Sequence, residues 1–553
     1  MAHAMRSTSH ARPSALRSWI FAVLPGVGTR ELWAVGQETG EALPCLGALW
    51  LGLLCVRFGW LGLVAHDQRQ IMKGVRKRSQ EKSSLMGDSD WATHEQVRKS
   101  GMLKKKPGSI FLGEHGGKEL FYNGENSVSV LAPPGAGKST CFAAQFLLRT
   151  EHNFVYVNDP KMELLLVCGE DLKRRGYRLL TISPWFESFA EQFGGKVEAR
   201  DDGVDPCSFL DASSPCIIDD ARLLATLLIP VKTKESATAK FFDEFSRSIL
   251  CAFMLLILSE KGRVTLPELR SRIMAPEEDI EADIAKMMTS DAFSGVLREE
   301  GARLHSPKMN SDREWSGGIS GAMQALKPYD KHGPLGRSVE KAGVDFRTAG
   351  DQKSVVFFVQ PPERVDSHEG YGSMVMVLAI EQQARIRRRK KGCIFLLDEL
   401  QASPSALLPV LRSIALYRGA GLQFLCLFQF MAALSRHLGD SWREFLSVDV
   451  FTTFGAPTDP ETLDIISRLS GQTTVRGTSF NSDAERLAGG EVGVSMGMSE
   501  VARPLLTASE ARTMDKSSAV IFTSNLPPIK AKKQSYLSNK KLKKRASRNP
   551  YYD

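Results

Sequence analysis

The stretch from Ser127 to Thr140, SVSVLAPPGAGKST, constrains this chain more than any other. It begins with β-branched and aliphatic residues, which are typical of a buried strand. A Pro/Gly-rich turn follows, and an apolar helical run begins directly after it. A strand, a glycine-rich turn and a helix start form the context of a phosphate-binding P-loop. The usual pattern G-x-x-x-x-G-K-[ST] departs only at its first position, where Ala132 stands. The sequence therefore predicts a site for a nucleoside triphosphate.

The residue types of this loop suit the binding of phosphate. Gly135 and Gly137 let backbone N–H groups curl around phosphate oxygens, and the start of the helix adds partial positive charge. Lys138 is expected to reach the β- and γ-phosphates, and the Ser139 hydroxyl is expected to bind Mg²⁺. The expected ligands are ATP and Mg²⁺. The predicted nucleotide-binding residues are Pro134, Gly135, Ala136, Gly137, Lys138, Ser139 and Thr140.

Composition places the chain among large intracellular proteins with a basic end. Its 553 residues allow several domains, and its nine cysteines form no C-x-x-C pair. The cysteines are therefore expected to be reduced core thiols, and they argue against a disulfide framework or a zinc site. The net charge is +9, and nine Lys and Arg residues follow Pro528 against one acid, Asp553. The rest of the chain is nearly balanced.

The N-terminal region contains a candidate membrane segment. Residues 42–65 are apolar apart from Arg57, and the stretch exceeds the roughly 20 residues that a transmembrane helix needs. Six basic residues follow within 69–82, so the positive-inside rule places the rest of the chain in the cytoplasm. A second apolar stretch, Trp19–Val27, is short, and the order of charges around the two stretches favours a helical hairpin. Whether the chain has one membrane span or two stays open at this point. Residues 1–68 are predicted to be the anchor.

Strands and helices alternate from residue 109 onward, which is typical of a parallel α/β sheet. Between Asp211 and Glu340 the patterns are helical only, which predicts an inserted all-α domain. The predicted strands are Ile110–Leu112, Leu120–Tyr122, Val128–Leu131, Phe154–Val157, Arg178–Ile182, Ser354–Val359, Cys393–Leu397 and Leu422–Phe428. The predicted parts after the anchor are a juxtamembrane linker at 69–108, a nucleotide-binding domain at 109–210 and 341–526, the insertion at 211–340, and a basic C-terminal tail at 527–553.

The strand CIFLL ends in Asp398 and Glu399. In a nucleotide hydrolysis site the Asp would hold Mg²⁺ through water, and the Glu would orient or deprotonate the attacking water. Two solvated acids at a strand end would give the same pattern. The P-loop in the same predicted sheet favours the hydrolysis site.

Two further residues flank the next strand, Leu422–Phe428. Gln429 ends it, and a Gln beside the carboxylate strand can touch the γ-phosphate or the water. Arg418 lies in the turn before it, which we expect near the C-terminal edge of the sheet, within reach of a neighbouring subunit's nucleotide. Taken alone, each residue is better explained as a satisfied amide or as a surface Arg.

Six segments in order resemble the TraG-like coupling proteins of conjugation and type IV secretion. Three positions depart from the pattern of that family: Ala132, Met162, where the family usually has Gly, and Pro457, where Asn is common. The resemblance covers most of 109–526. The segments are LAPPGAGKST, VNDPKMEL, FLLDEL, LYRGAGLQFLCLFQ, FTTFGAPTDPETLDIISRLSG and RPLLTASEARTM.

The resemblance implies a RecA-like P-loop NTPase domain with an inserted all-α domain and an N-terminal transmembrane anchor. It also implies a DNA-stimulated ATPase of the bacterial inner membrane that assembles as a homo-hexamer, with most of the chain in the cytoplasm. Such proteins hand a relaxase-bound single DNA strand, or protein effectors, to a secretion channel. The implied partners are therefore DNA, the relaxase and channel proteins. The implied catalytic residues are Lys138, Glu399, Gln429 as γ-phosphate sensor and Arg418 as a finger acting in trans.

Other hypotheses stay open at this point. The second hypothesis is that the chain is a membrane-anchored, nucleotide-gated recruitment platform with slow regulatory hydrolysis. A DNA pump of the chromosome-partition type is a third hypothesis, against which the helical insertion and the RPLL segment argue. The basic run Arg385–Lys391 fits a helix C-terminus. The basic tail fits either salt-sensitive phosphate contacts or a solvated, flexible segment.

Overall fold

The computed structural model describes residues 29–35, 37–40, 42–80, 85–193, 200–231, 236–365, 367–386, 392–482 and 494–552. The chain divides into two compact units. The smaller unit comprises Met1–Asp88 and Gln472–Arg503, and the larger comprises Ser89–Gly471 and Pro504–Asp553. All the predicted nucleotide-site residues lie in the larger unit.

An 11-stranded sheet forms the centre of the larger unit. The strands of the described chain are, in sequence order, β1 (Ile110–His115), β2 (Lys118–Tyr122), β3 (Val128–Leu131), β4 (Phe154–Asn158), β5 (Arg178–Ile182), β6 (Ser354–Phe358), β7 (Cys393–Leu397), β8 (Leu422–Phe428), β9 (Val450–Phe454), β10 (Gln472–Ser482), β11 (Val494–Pro504), β12 (Ser518–Thr523) and β13 (Ile529–Lys532). The spatial order in the large sheet is β2-β1-β13-β12-β9-β3-β8-β7-β4-β6-β5, and β10 pairs with β11 in a separate two-stranded sheet.

Seven neighbouring strands, from β9 to β5, run parallel. Most of their residues are buried, and β3, β7 and β8 are buried along their whole length. Helices cover both faces of such a sheet, which explains why these strands are continuously apolar instead of alternating. Because the strands are parallel, the residues that follow β3, β4, β7 and β8 meet at one edge of the sheet.

The other four strands, β12, β13, β1 and β2, extend the sheet in antiparallel order. In β13 Ile529 and Ala531 are buried while Lys530 and Lys532 are exposed, as expected for a half-buried strand. The sheet therefore continues beyond residue 526, where the sequence places the end of the nucleotide-binding domain. The cause is the alternating IKAK pattern, which is too short and too basic to stand out as a strand.

The segment after β13 also packs on the larger unit. Leu542 of the helix Lys540–Arg545 is buried. Arg545 donates from Nε and Nη2 to the two carboxylate oxygens of Asp171, at 2.8 and 2.7 Å, and from Nη2 to the carbonyl of Leu148 at 2.5 Å. Burial alone would raise the pKa of Asp171, but these hydrogen bonds and the charge of Arg175 hold that pKa below its usual range. A solvated, flexible tail does not describe residues 529–552.

The insertion between β5 and β6 contains helices and no strand in its described residues. Its longest helix, Ala237–Lys261, is buried from Ile249 to Leu258, so the apolar run ILCAFMLLIL forms a helical core. Arg385 donates to Asp220 of the insertion at 2.6 Å, while 387–391 of the basic run lie outside the described residues. The α-helices of the insertion are Ile217–Leu228, Ala237–Lys261, Leu266–Ile273, Glu277–Met288, Val296–Asn310, Asp312–Leu326 and Pro334–Val339.

The remaining α-helices of the larger unit surround the sheet. They are His94–Lys99, Ala144–Arg149, Glu163–Arg174, Phe186–Gln192, Pro362–Val365, Glu369–Ala384, Pro404–Leu416, Met431–Leu438, Pro460–Leu469, Ala508–Arg512 and Lys540–Arg545.

The smaller unit contains the helix Ala42–Gln80, which continues past the predicted end of the anchor at residue 68. Its first part, Ala42–Trp60, is the one helix in the described chain that is long and apolar enough to cross a membrane. Leucine and tryptophan side chains along it are more than half exposed to the surroundings. Residues 29–35 and 37–39 are helical and precede it, whereas the predicted first span, Trp19–Val27, lies outside the described residues.

We predict that Arg545→Ala lowers the free energy of unfolding by about 1–3 kcal/mol, since the buried carboxylate of Asp171 loses two charge-assisted hydrogen bonds. The measurement is denaturant unfolding of the purified protein. Lys543→Ala, at an exposed position of the same helix, is the control and should change the midpoint little. Equal stability of both variants would mean that this contact does not hold the C-terminal segment.

Candidate functional site

The P-loop follows β3 at the carboxyl edge of the sheet. The N–H of Ala132 donates to the carbonyl of Phe428, at 3.0 Å, so the first loop residue still belongs to the strand pairing. Gly135 and Gly137 have φ angles of 73° and 83°, a region that favours glycine. The helix begins at Ser139 with a wide π-type turn, Ser139–Ala143. The loop thus has the backbone that its sequence predicts, with the first N–H groups of a helix beside it.

Lys138 is joined to the carboxylates that follow β7. Its Nζ lies 2.9 Å from Oδ1 of Asp398 and 3.7 Å from Oε1 of Glu399. Lys138 is 8% exposed, and Asp398 is similarly buried. Burial raises the pKa of Asp398, and the neighbouring ammonium of Lys138 opposes that rise. The structure therefore brings the P-loop lysine and both predicted acids together across the intervening strand β8.

Glu399 receives further donors on the same oxygen. Gln429, directly after β8, donates from Nε2 to Oε1 at 2.8 Å, and Lys161 lies 3.4 Å from it. Glu399 has a φ angle of 53°, which is unusual for a residue other than glycine. Such strained residues cluster at functional sites. The side chain of Glu399 is thus fixed by its backbone and by two donors besides Lys138.

These residues fit a nucleotide with Mg²⁺. In the described part of the chain no group of three or more His, Cys, Asp or Glu side chains could hold a metal ion alone. Mg²⁺ in phosphate sites uses one or two protein oxygens together with phosphate oxygens and water. Ser139 and Asp398 are oxygen ligands of that kind. Lys138, which now neutralises Asp398, is a cation that phosphate would also attract.

The residues after β4 join the site, although the sequence analysis assigned them no role. Asn158 donates from Nδ2 to the carbonyl of Asp398 at 2.7 Å. Asp159 accepts from the N–H of Leu165 at 2.8 Å, and burial raises the pKa of Asp159 to about 7. The signal was available in the run NDPK directly after the buried strand FVYV, since neighbouring parallel strands end at one edge.

Met162 lies in the same loop with a left-handed backbone, at φ 58° and ψ 7°. Its side chain is fully buried. A left-handed conformation costs a residue other than glycine about 1–2 kcal/mol. The position where the TraG-like pattern has Gly is therefore one where the backbone favours Gly, and this chain accepts the strain while gaining a buried apolar side chain.

The last residues of the chain contact this loop. The Tyr551 hydroxyl donates to the carbonyl of Lys161 at 2.7 Å, and Asn549 donates from Nδ2 to Glu163 at 2.8 Å. The edge of the Tyr551 ring also packs against Phe193. The C-terminal segment thus supports the loop that carries Lys161.

Arg418 does not lie at the edge that the sequence analysis expected. It precedes β8, which is parallel to β3, and it therefore lies at the amino end of the strands. The seven residues of β8 separate it from Gln429 by about 20 Å. Arg418 is exposed and lines a cleft of about 640 Å³ with His152 and Asn123. Within one subunit it cannot touch phosphate bound at the P-loop.

Comparison with known proteins identifies a family. Residues 79–551 match the profile described as Type IV secretory system Conjugative DNA transfer. The conjugal transfer protein TraG of Rhizobium radiobacter is 22% identical over 530 residues, which cover 87% of this chain and 76% of TraG. Protein VirD4 of Rhizobium rhizogenes is 28% identical over 499 residues, which cover 83% of this chain and 66% of VirD4.

Solved structures show the same fold. The plasmid coupling protein TrwB in complex with the ATP analogue ADPNP matches with a TM-score of 0.58 at 15% identity, over 82% of this chain and 95% of that chain. TrwB in complex with ADP and Mg²⁺ matches with a TM-score of 0.57 at 15% identity, over 82% and 97%. The predicted fold class, a RecA-like P-loop domain with a helical insertion and an apolar N-terminal helix, is confirmed.

We predict that Met162→Gly and Met162→Ala both destabilise the protein, because a buried side chain is lost, but that the Gly variant is more stable by up to about 1 kcal/mol. Relief of the left-handed strain is the reason. Leu164, in the helix that follows, is the matched control, and there the Ala variant should be more stable than the Gly variant. Denaturant midpoints of the four variants test this, and the same order at both positions would contradict the strain at Met162.

Proposed function

The chain belongs to the type IV secretory system conjugative DNA transfer family, and on that premise we propose that it is a coupling ATPase that recruits a relaxase-bound single DNA strand, or protein effectors, and pumps it into a secretion channel. The observation that carries the proposal is the assembly of Lys138, Asp398, Glu399 and Gln429 beside the P-loop. Charged groups gathered in this way suit phosphoryl transfer, in which positioning and charge stabilisation do most of the work.

Nucleotide binding would begin with the P-loop. The N–H groups at the start of the helix and the glycine turn would bind phosphate oxygens, and Pro134 to Thr140 would form the cradle. Lys138 would leave its ion pair with Asp398 and bind the β- and γ-phosphates. Asp398, relieved of that pairing, would stand with Ser139 as an oxygen ligand for Mg²⁺, which supplies positive charge between the phosphate oxygens.

Hydrolysis would depend on Glu399. Its carboxylate, which Gln429 and Lys161 contact, would orient or deprotonate water next to the γ-phosphate. Gln429 contacts Glu399 directly, so a change at the γ-phosphate would alter that hydrogen bond. Gln429 would thereby act as the γ-phosphate sensor, and it lies at the opposite end of β8 from Arg418.

The membrane and assembly are parts of the same proposal. Ala42–Trp60 would anchor the protein in the bacterial inner membrane, with the larger unit in the cytoplasm, because basic residues follow the apolar helix. Arg418 is exposed and far from its own P-loop, so it is available to a neighbouring subunit in a head-to-tail ring. A homo-hexamer would place an arginine finger of this kind at each interface.

We predict that single-stranded DNA strongly stimulates ATP hydrolysis by the full-length protein, and that Lys138→Ala abolishes turnover because the phosphate-binding ammonium is lost. Phosphate release measured with and without DNA tests this, and thermal unfolding shows whether the variant is folded. Slow turnover that DNA leaves unchanged would favour a nucleotide-gated recruitment platform instead. Unchanged turnover in Lys138→Ala would contradict the P-loop assignment.

We also predict that Arg418→Ala and Glu399→Gln each retain nucleotide binding but lose hydrolysis, by about 10²-fold or more. Mixing the two variants should restore part of the activity, since some interfaces then combine an intact Glu399 with a neighbour's intact Arg418. The measurement is turnover across mixing ratios. If no mixture exceeds the sum of its components, Arg418 does not act across a subunit boundary.

A further inference from the structure

A second lysine, Lys533, touches the P-loop from the other side of β3. It directly follows β13, which lies on the β9 side of the P-loop strand, whereas the strands that carry Asp398 and Gln429 lie on the β8 side. Its Nζ donates to the carbonyl of Ala136. The same Nζ lies 3.9 Å from the position that a Cβ on Gly137 would take. The two lysines therefore approach the loop from opposite directions.

The charge of Lys533 is poorly compensated. In the described chain its ammonium has a carbonyl oxygen and, at 6.0 Å, the ring of Phe454 as partners, and no carboxylate within ion-pair distance. Burial lowers the pKa of Lys533, the charges of Cys141 and Asp515 oppose that change in part, and Lys516 adds to it. Lys138, by contrast, is neutralised by Asp398. A half-buried cation with no carboxylate at ion-pair distance is unfavourable, and a bound anion would lower that cost.

The backbone that carries Lys533 is fixed to the site. Its N–H donates to the carbonyl of Ser517 at 2.9 Å. The carbonyl of the next residue, Gln534, accepts from Nε2 of Gln145 in the P-loop helix at 3.0 Å, and the Gln534 side chain donates to Glu114. Only the flexible end of the Lys533 side chain must therefore move to reach a ligand in the loop. Preorganisation of this kind lowers the cost of binding.

We propose that Lys533 is a second phosphate-contacting lysine, which reaches the phosphates of a bound nucleotide from the side opposite Asp398 and Glu399. This inference rests on the proposed function of the P-loop as a nucleotide site. It gives the C-terminal segment a direct part in nucleotide binding. The sequence analysis describes that segment only as a basic tail. The alternative is a positioning role, in which Lys533 holds the loop in shape through the carbonyl of Ala136.

The test is Lys533→Met, which removes the charge and keeps a side chain of similar length over Phe454. We expect the Kd for ADP with Mg²⁺ to rise about tenfold or more in the full-length protein, in line with loss of a charge-assisted contact. The thermal midpoint without nucleotide should stay unchanged or rise, because an uncompensated cation is removed. Lys533→Arg should bind within a few-fold of the native protein. Lys530→Met, at an exposed position of β13, is the matched control.

Each other outcome overturns the inference. An unchanged Kd in Lys533→Met excludes phosphate contact. A raised Kd together with a lower midpoint without nucleotide indicates the positioning role. If native protein and the Lys530→Met control bind no ADP, the proposed nucleotide site itself fails, which separates that failure from the failure of the Lys533 assignment.

Discussion

The ion pair between Lys138 and Asp398 is the interaction on which the rest of the site depends. It joins the P-loop to the end of β7 across the intervening strand β8 in a largely buried position. A buried ion pair contributes little net stability, but removing one partner leaves an uncompensated charge. Each partner therefore requires the other, or an ion of the same charge in its place. Glu399 contacts Lys138, and Gln429 contacts Glu399. Asn158 contacts Asp398, so these three residues surround the pair.

The C-terminal segment also contacts and supports the candidate site. It leaves the sheet at Lys533 on the P-loop, continues through Arg545 on the buried Asp171, and ends with Tyr551 on the loop that carries Lys161. These contacts lie at both sides of the candidate nucleotide site. One segment therefore contacts two loops of the same candidate site.

Two residues other than glycine with a left-handed backbone lie in the same region. Met162 and Glu399 both have positive φ angles, and both lie in loops directly after parallel strands. Such conformations persist because the surroundings fix them. For Met162 the fixing element is its fully buried side chain, and for Glu399 it is the set of donors at one oxygen. Lys161, which lies in the same loop as Met162, contacts Glu399. Both strained residues therefore lie at the candidate site.

Local patterns in the sequence predict the P-loop, the acids after β7, Gln429, six of the seven parallel strands and the helical insertion, because apolar runs, glycine turns and helical periodicity are local features. They did not predict the strands β9, β12 and β13 or the packing of Arg545. A short basic strand such as β13 acquires its partners only in the sheet. The position of Arg418 was likewise decided by the tertiary structure. Strand direction sets the edge of the sheet at which a residue lies, and no local pattern records it. It places Arg418 at the edge opposite the P-loop and Lys533 in contact with the P-loop.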